Sequence, residues 1–167
     1  MRNSVTAITL VSLAACTPAP SPPPGEAASQ ALFREISIQP FGTVSLSADF
    51  AQRHTNAAPL GSGLYVLNAP RGSFGDTDSI LVHVDGDNRV TALDFVYQAG
   101  KDFAAALAEY DGSLGAPASR TVIDSAGGQV ERATWEDART RFELARFSTA
   151  GRPSRVVSRM VDRTAPR

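Results

Sequence analysis

The chain has one cysteine, one lysine, one tryptophan and two histidines among its 167 residues. A single cysteine excludes an internal disulfide framework, so a folded domain here must hold by packing alone. His54 and His83 stand far apart in sequence. That argues against a zinc site, which takes three or four ligands, often at His-x-x-x-His spacing. The uncharged run from Ser4 to Ala15 is a dozen residues long, short of the roughly 20 a spanning helix needs. Net charge is -1, with no polybasic run, which argues against nucleic acid as a partner. A Gly-x-Ser-x-Gly elbow is missing, since the nearest stretch, RGSFGD, lacks that spacing. Asp76, Asp78, Asp85 and Asp87 do not fit the twelve-residue calcium loop with its closing Glu. No cofactor motif is present, and nothing argues for the carboxylate pair of a glycosidase.

What is present begins at the N-terminus. Arg2 precedes the short apolar run, which ends in small residues, the parts of a secretory signal. The run closes as Leu13-Ala14-Ala15-Cys16. This resembles the lipobox of bacterial lipoproteins: an aliphatic residue, two small residues and a cysteine. The resemblance implies a signal peptide over 1–15, with Cys16 acylated as the first mature residue and as the membrane anchor. Two or more acyl chains hold stably, at about 0.8 kcal/mol per buried CH₂. Thr17, not Asp, follows the cysteine. In bacteria of the enteric type that implies transfer to the outer membrane, with the domain facing the periplasm.

Residues 16–30 then form a proline-rich tether, TPAPSPPPGEAAS after the cysteine. Prolines favour polyproline II at about 3.1 Å per residue, so the tether is a semi-rigid spacer of roughly 30 Å or more. The remainder reads as one globular α+β domain over 31–163 with a flexible tail over 164–167, long enough for a real core.

Within the domain, Leu32 to Gln39 reads as a strand stopped by Pro40, and Ser47 as the N-cap of a short helix, Ala48 to His54. Asn56 to Gly63 reads as a break and Leu64 to Leu67 as a strand. Ile80, Val82 and Val84 alternate with polar partners, Gly86-Asp87-Asn88 turns the chain, and VTALDFVY returns, a hairpin. KDFAAALAEY places Phe103, Leu107 and Tyr110 on one helical stripe, with a stop expected at Asp111-Gly112. Strands follow at Arg120 to Asp124, Gln129 to Trp135, Arg139 to Phe147 and Ser154 to Val161. Only one helix-length crossover occurs. The fold class is therefore α+β, an antiparallel sheet with one or two helices on one face.

The hairpins HVDGDNRVTALDFVY and TWEDARTRFELARF match loosely, each after a helix candidate and a Leu-Gly loop, which allows two degenerate helix-plus-meander units. The second unit, its helix followed by Leu114-Gly115-Ala116-Pro117 and strands with Trp135 and Phe142, resembles small envelope lipoproteins of the β-barrel assembly machinery and the doubled unit of β-lactamase inhibitor proteins. The first unit departs from that pattern, with Ser47 where such families often keep Gly.

From Glu131 onward there are nine arginines against five acidic residues. Alternation puts Arg139 and Arg141 on one face of their strand, and Arg155 and Arg159 on one face of the last. Neighbouring strands would merge them into a stripe suited to an anionic partner, since the guanidinium fork fits phosphate and carboxylate. The alternative is a solvated face offset by Glu131, Glu143 and Asp162. His83 beside Asp85 reads as a surface pair, and His54 as a helix-closing cation. Trp135, Phe142 and Phe147 suit a core better than a groove. The function expected is a lipid-anchored envelope protein acting as a binding or scaffold module, with an envelope protein as partner. A module for an anionic glycan, a lipid or a secreted hydrolase stands second, and a hydrolase third.

Overall fold

The structure, a computed structural model, describes residues 31–51, 53–72, 75 and 77–165. The signal segment expected over 1–15 and the tether expected over 16–30, with Cys16, lie outside the described residues. Among the described residues, ten strands and one helix follow in order: β1 (Glu35–Ile38), β2 (Gly42–Ser45), β3 (Ala58–Gly61), β4 (Leu64–Asn68), β5 (Thr77–Val84), β6 (Val90–Tyr97), α1 (Phe103–Leu114), β7 (Ser119–Ser125), β8 (Gly128–Glu136), β9 (Thr140–Ser148) and β10 (Arg155–Asp162). The architecture is a β-rich α+β fold in which α1 is the one helix described.

Eight strands form one antiparallel sheet in the order β3-β4-β5-β6-β10-β9-β8-β7, and β1 and β2 pair separately. The sheet is thus two four-stranded meanders joined by their last strands, β6 and β10. Helix α1 carries the chain from the centre of the sheet to its far edge. The loose sequence repeat does not follow this division. The β5–β6 hairpin takes the third and fourth places of its meander, whereas β8–β9 takes the second and third of the other.

Alternation explains the strands. In β5, Ile80 and Val82 are buried, and in β6 Leu93, Phe95 and Tyr97 point to the same side. Asp85 closes their turn by accepting from the N–H groups of Asp87 and Arg89 at 3.0 and 2.9 Å, so the acidic set at 85–87 is turn chemistry. Trp135, Phe142, Leu144, Val156 and Met160 continue the buried face through the second meander.

Two elements cover that face. Asp102 caps α1 by accepting from the N–H of Ala105 at 2.7 Å. The helix runs past Asp111-Gly112, its expected stop, and ends at Gly115, φ 78°, whose N–H donates to Asp111. The extra turn lets Leu114 join Phe103, Leu107 and Tyr110 against the core, and the positive φ then suits glycine. Over the first meander lies the β1–β2 hairpin, not a helix. Among the described residues of Ala48 to His54, turns and a bridge from Asp49 to Arg89 stand in place of the expected helix, after Ser47 at φ 65°. The backbone here bonds instead to the β5–β6 turn: Ser47 N–H to Val90 O, Val90 N–H to Ala48 O and Phe50 N–H to Asn88 O. Those pairings bury Phe50 against Tyr65, with ring centroids 5.0 Å apart. The first meander therefore lacks, among the described residues, the helix that two matching units would require.

Candidate functional site

The other face of the sheet is uncovered by any described element, and the register assigns its residues. One row across the strands reads Thr134, Glu143, Arg159, Asp94, Leu81 and Val66, and the next reads Glu136, Arg141, Val161, Ala92, His83 and Leu64. Arg141 and Arg159 therefore share the open face, as alternation requires, but each meets a carboxylate. Arg141 Nε lies 3.1 Å from Glu143, and Arg159 Nε lies 3.2 Å from Asp94. His83 is on the same face, where it bonds to Asp94 at 2.8 Å and not to Asp85. Arg139 sits in the β8–β9 turn, where its carbonyl accepts from Arg34 at 2.8 Å. Arg155, at the start of β10, has no ion-pair partner among the described residues, and neither has Arg152 before it.

Of the three carboxylates expected to offset the stripe, only Glu143 is on that face. Glu131 bonds Arg146 at 2.6 Å on the helix side, where Arg146 also covers the Phe103 ring. Asp162 is buried below the sheet. There it accepts from Arg34 Nη2 at 2.8 Å, from the Ser47 hydroxyl, and from the N–H and hydroxyl of Thr164 at 2.9 and 2.7 Å. Burial alone would raise its pKa, but these donors outweigh burial and hold the carboxyl at about 2. Asp137 behaves alike: burial opposes ionisation, while the N–H groups of Arg139, Leu32 and Thr140 and the charge of Arg34 hold it below the usual range. Together these bonds pin the start of the domain, at Leu32 and Arg34, to one end of β9 and β10.

Beyond the paired charges, the open face ends in apolar residues. Ile123, Val130 and Phe147 align across β7, β8 and β9, and Arg155 continues the row on β10. Ile123 is 54% exposed and Phe147 43%. Strand β7 is an edge, every residue of it exposed, with Val122 on its opposite side at 58%. A long exposed edge with apolar side chains is the kind that natural sheets normally blunt. Phe147, Val157, Val96 and Pro153 line a cleft of about 690 Å³, together with Arg152, Arg155 and one carboxylate, Asp78.

A groove of about 410 Å³ lies on the covered side, between β1 and α1. Phe33, Phe95, Tyr110 and Phe142 line it together with two carboxylates, Glu35 and Glu109. Beneath it, Tyr97, Tyr110 and Ser158 share hydroxyl hydrogen bonds, Tyr97 to Ser158 at 3.1 Å and Tyr110 to Ser158 at 3.3 Å, with the two phenols also bonded to each other. Burial raises the pKa of both tyrosines, so both are neutral donors that fix α1 to β6 and β10. Sequence reasoning missed this groove, which is assembled from four separate segments spread between Phe33 and Phe142.

Trp135, Phe142 and His54 belong to the packed interior. Trp135 is buried and donates from Nε1 to Gly115 O at 2.8 Å, and Phe142 packs between it and Phe33. His54 is buried, donates from Nδ1 to the carbonyl of Phe41 at 2.9 Å and stacks on Phe50. It is a satisfied core residue and closes no helix. Among the described residues, no three of His, Cys, Asp and Glu converge as metal ligands, and no helix is long and apolar enough to cross a membrane. No family model, no curated protein and no solved structure matches this chain.

Proposed function

We propose that this chain is a lipid-anchored bacterial envelope protein, held through acylated Cys16 at the outer membrane and facing the periplasm, whose domain binds another protein. The observation that carries the binding half of this reading is the unshielded edge β7 with Val122 and Ile123 exposed on its two sides. An extended segment of a partner would pair with β7 as a ninth strand. Main-chain hydrogen bonds then supply affinity and alternate side chains supply specificity. The apolar row through Val130 and Phe147 leads to Arg155, three strand spacings of about 4.8 Å from β7. A partner that crosses this row places apolar residues on Phe147 and carboxylates on Arg155 and Arg152. The anchoring half rests on the lipobox resemblance at Leu13 to Cys16.

A second reading has one observation in its favour. The cleft beside Arg152 and Arg155 is large enough for the head of an anionic glycan or lipid, and neither guanidinium has an ion-pair partner among the described residues.

In-cell cross-linking of the full chain, beside Cys16→Ser and Ile123→Lys versions, tests both halves. The wild type is expected in the outer membrane fraction with one dominant protein partner. Cys16→Ser is expected in the soluble fraction, and Ile123→Lys in the membrane without the partner. A wild-type chain that is soluble and unacylated overturns the anchor. An Ile123→Lys chain that retains the partner overturns the edge as the docking site. Binding to anionic vesicles that Arg155→Ser abolishes would favour the second reading.

A further inference from the structure

We infer that the groove between β1 and α1 is a binding site for a small organic cation, an ammonium ion carrying an aromatic or alkyl body. Its lining holds four aromatic residues, Phe33, Phe95, Tyr110 and Phe142, beside Ile36 and two serines, and two carboxylates, Glu35 and Glu109. Among the described residues, no cationic side chain lines it. Aromatic faces present negative electrostatic potential, so a cation enclosed by several of them is attracted by each. An anion would meet the same faces and two like charges.

Contacts within the protein brace the lining of the groove. Phe33 packs on Phe142 at 5.8 Å and Tyr110 packs on Phe142 at 4.6 Å. The Tyr110 hydroxyl is tied to Tyr97 and Ser158. One wall belongs to β1, pinned through Leu32 and Arg34 to Asp137 and Asp162, and the other to α1. Its volume of about 410 Å³ falls within the usual range of small-molecule sites, about 300–1,000 Å³.

The two carboxylates are not equivalent. Glu109 is mostly exposed and has Lys101 at 3.7 Å. Among the described residues Glu35 meets only the Ser45 hydroxyl, at 3.5 Å, which leaves it the stronger counter-charge. The ammonium group is therefore held near Glu35 and the Phe33 ring, with its apolar body toward Phe95 and Phe142. This site lies on the covered side of the sheet, away from β7, and does not depend on the partner reading.

Trp135 is the only tryptophan in the chain and its ring is 6.0 Å from that of Tyr110, so its fluorescence reports on the groove. The probe is benzyltrimethylammonium, titrated into the full chain in non-ionic detergent, with benzylsulfonate as the anionic counterpart. The expected result is a saturable fluorescence change with the cation and affinity at least about tenfold weaker for the sulfonate. Glu35→Gln is expected to weaken the cation about threefold to fivefold and Phe33→Ala by a similar factor, with circular dichroism unchanged. Equal affinity for both probes, or none for the cation up to about 20 mM against the usual strength of such contacts, overturns the site. So does undiminished binding in both variants.

Discussion

Asp162 owes its low pKa to groups that come from three separate places in the chain. Arg34 and Ser47 flank the N-terminal hairpin, and Thr164 follows β10, around a carboxylate that β10 itself carries. The ionised form is held at about 2 in the fold, against an ordinary 3.8. Between these values the unfolded chain binds more protons, so stability rises with pH across that window. The contribution is complete above about pH 4 and lost as pH falls through about 2. Asp162→Asn is expected to cost about 2–3 kcal/mol at pH 7, since each tenfold change in an ionisation equilibrium is worth about 1.4 kcal/mol. Urea unfolding at pH 7 and near pH 2 checks this: the gap between wild type and variant should close at the acidic end. A gap of equal size at both pH values would assign the loss to packing and not to charge. The sequence placed Asp162 among the charges of the arginine stripe. The period of two already separated its face from that of Arg155 and Arg159, but nothing local identified Arg34 as its partner.

At the scale of elements, strands were legible wherever one face is buried. β5, β6, β8, β9 and β10 alternate, and their ends fall within a residue or two of the pattern except at the N-terminal end of β5. β3, with the sequence APLG, is exposed at all four positions and so carries no alternation to read. The false helix at Ala48 to His54 has a different cause. Ser, Asp and Ala suit a capped helix locally, but pairing with the β5–β6 turn and burial of Phe50 override that preference. Of the arginine face, Arg141, Arg155 and Arg159 were legible, while Arg139 falls in the β8–β9 turn. Asp94 as counter-charge was not legible, because β6 and β10 become neighbours only through the topology. Edge status was equally hidden, since Val122 and Ile123 look like any strand pair. The β8 strand that carries that edge begins at Gly128, at φ 145°. A Cβ there would stand 2.1 Å from the carbonyl oxygen of Ser148 on β9. Gly128→Ala must therefore push β8 from β9 at the start of the β7–β8 hairpin. The expected loss is about 2 kcal/mol or more, with the urea slope unchanged. A shift below about 0.5 kcal/mol, the range of neutral surface changes, would mean that the hairpin opens at little cost.

The molecule as a whole is joined at one seam. Each meander would expose a hydrophobic last strand if it stood alone, and β6 and β10 cover each other's flank in the middle of the sheet. The buried residues on either side belong to one cluster, from Ile38 and Leu67 through Phe95 to Met160, Leu144 and Trp135. The first meander is covered by the β1–β2 hairpin, yet that hairpin is fastened at Leu32 and Arg34 to Asp137 and Asp162, in the second. The second is covered by α1, which is fastened through Tyr110 to Tyr97 on β6, in the first. Each half thus holds a cover that the other half ties down. A chain ending at Pro153 removes β10 and breaks the sheet, the Asp162 clamp and the Ser158 hydroxyl bonds together. Loss of both halves is expected, read as complete digestion by a protease under conditions where the full chain resists, with collapse of the Trp135 fluorescence shift. A resistant fragment covering residues 31–97 would show instead that the first meander is stable alone. Its hydrophobic seam at β6 would then be free, and β6 would replace β7 as the edge most in need of a partner.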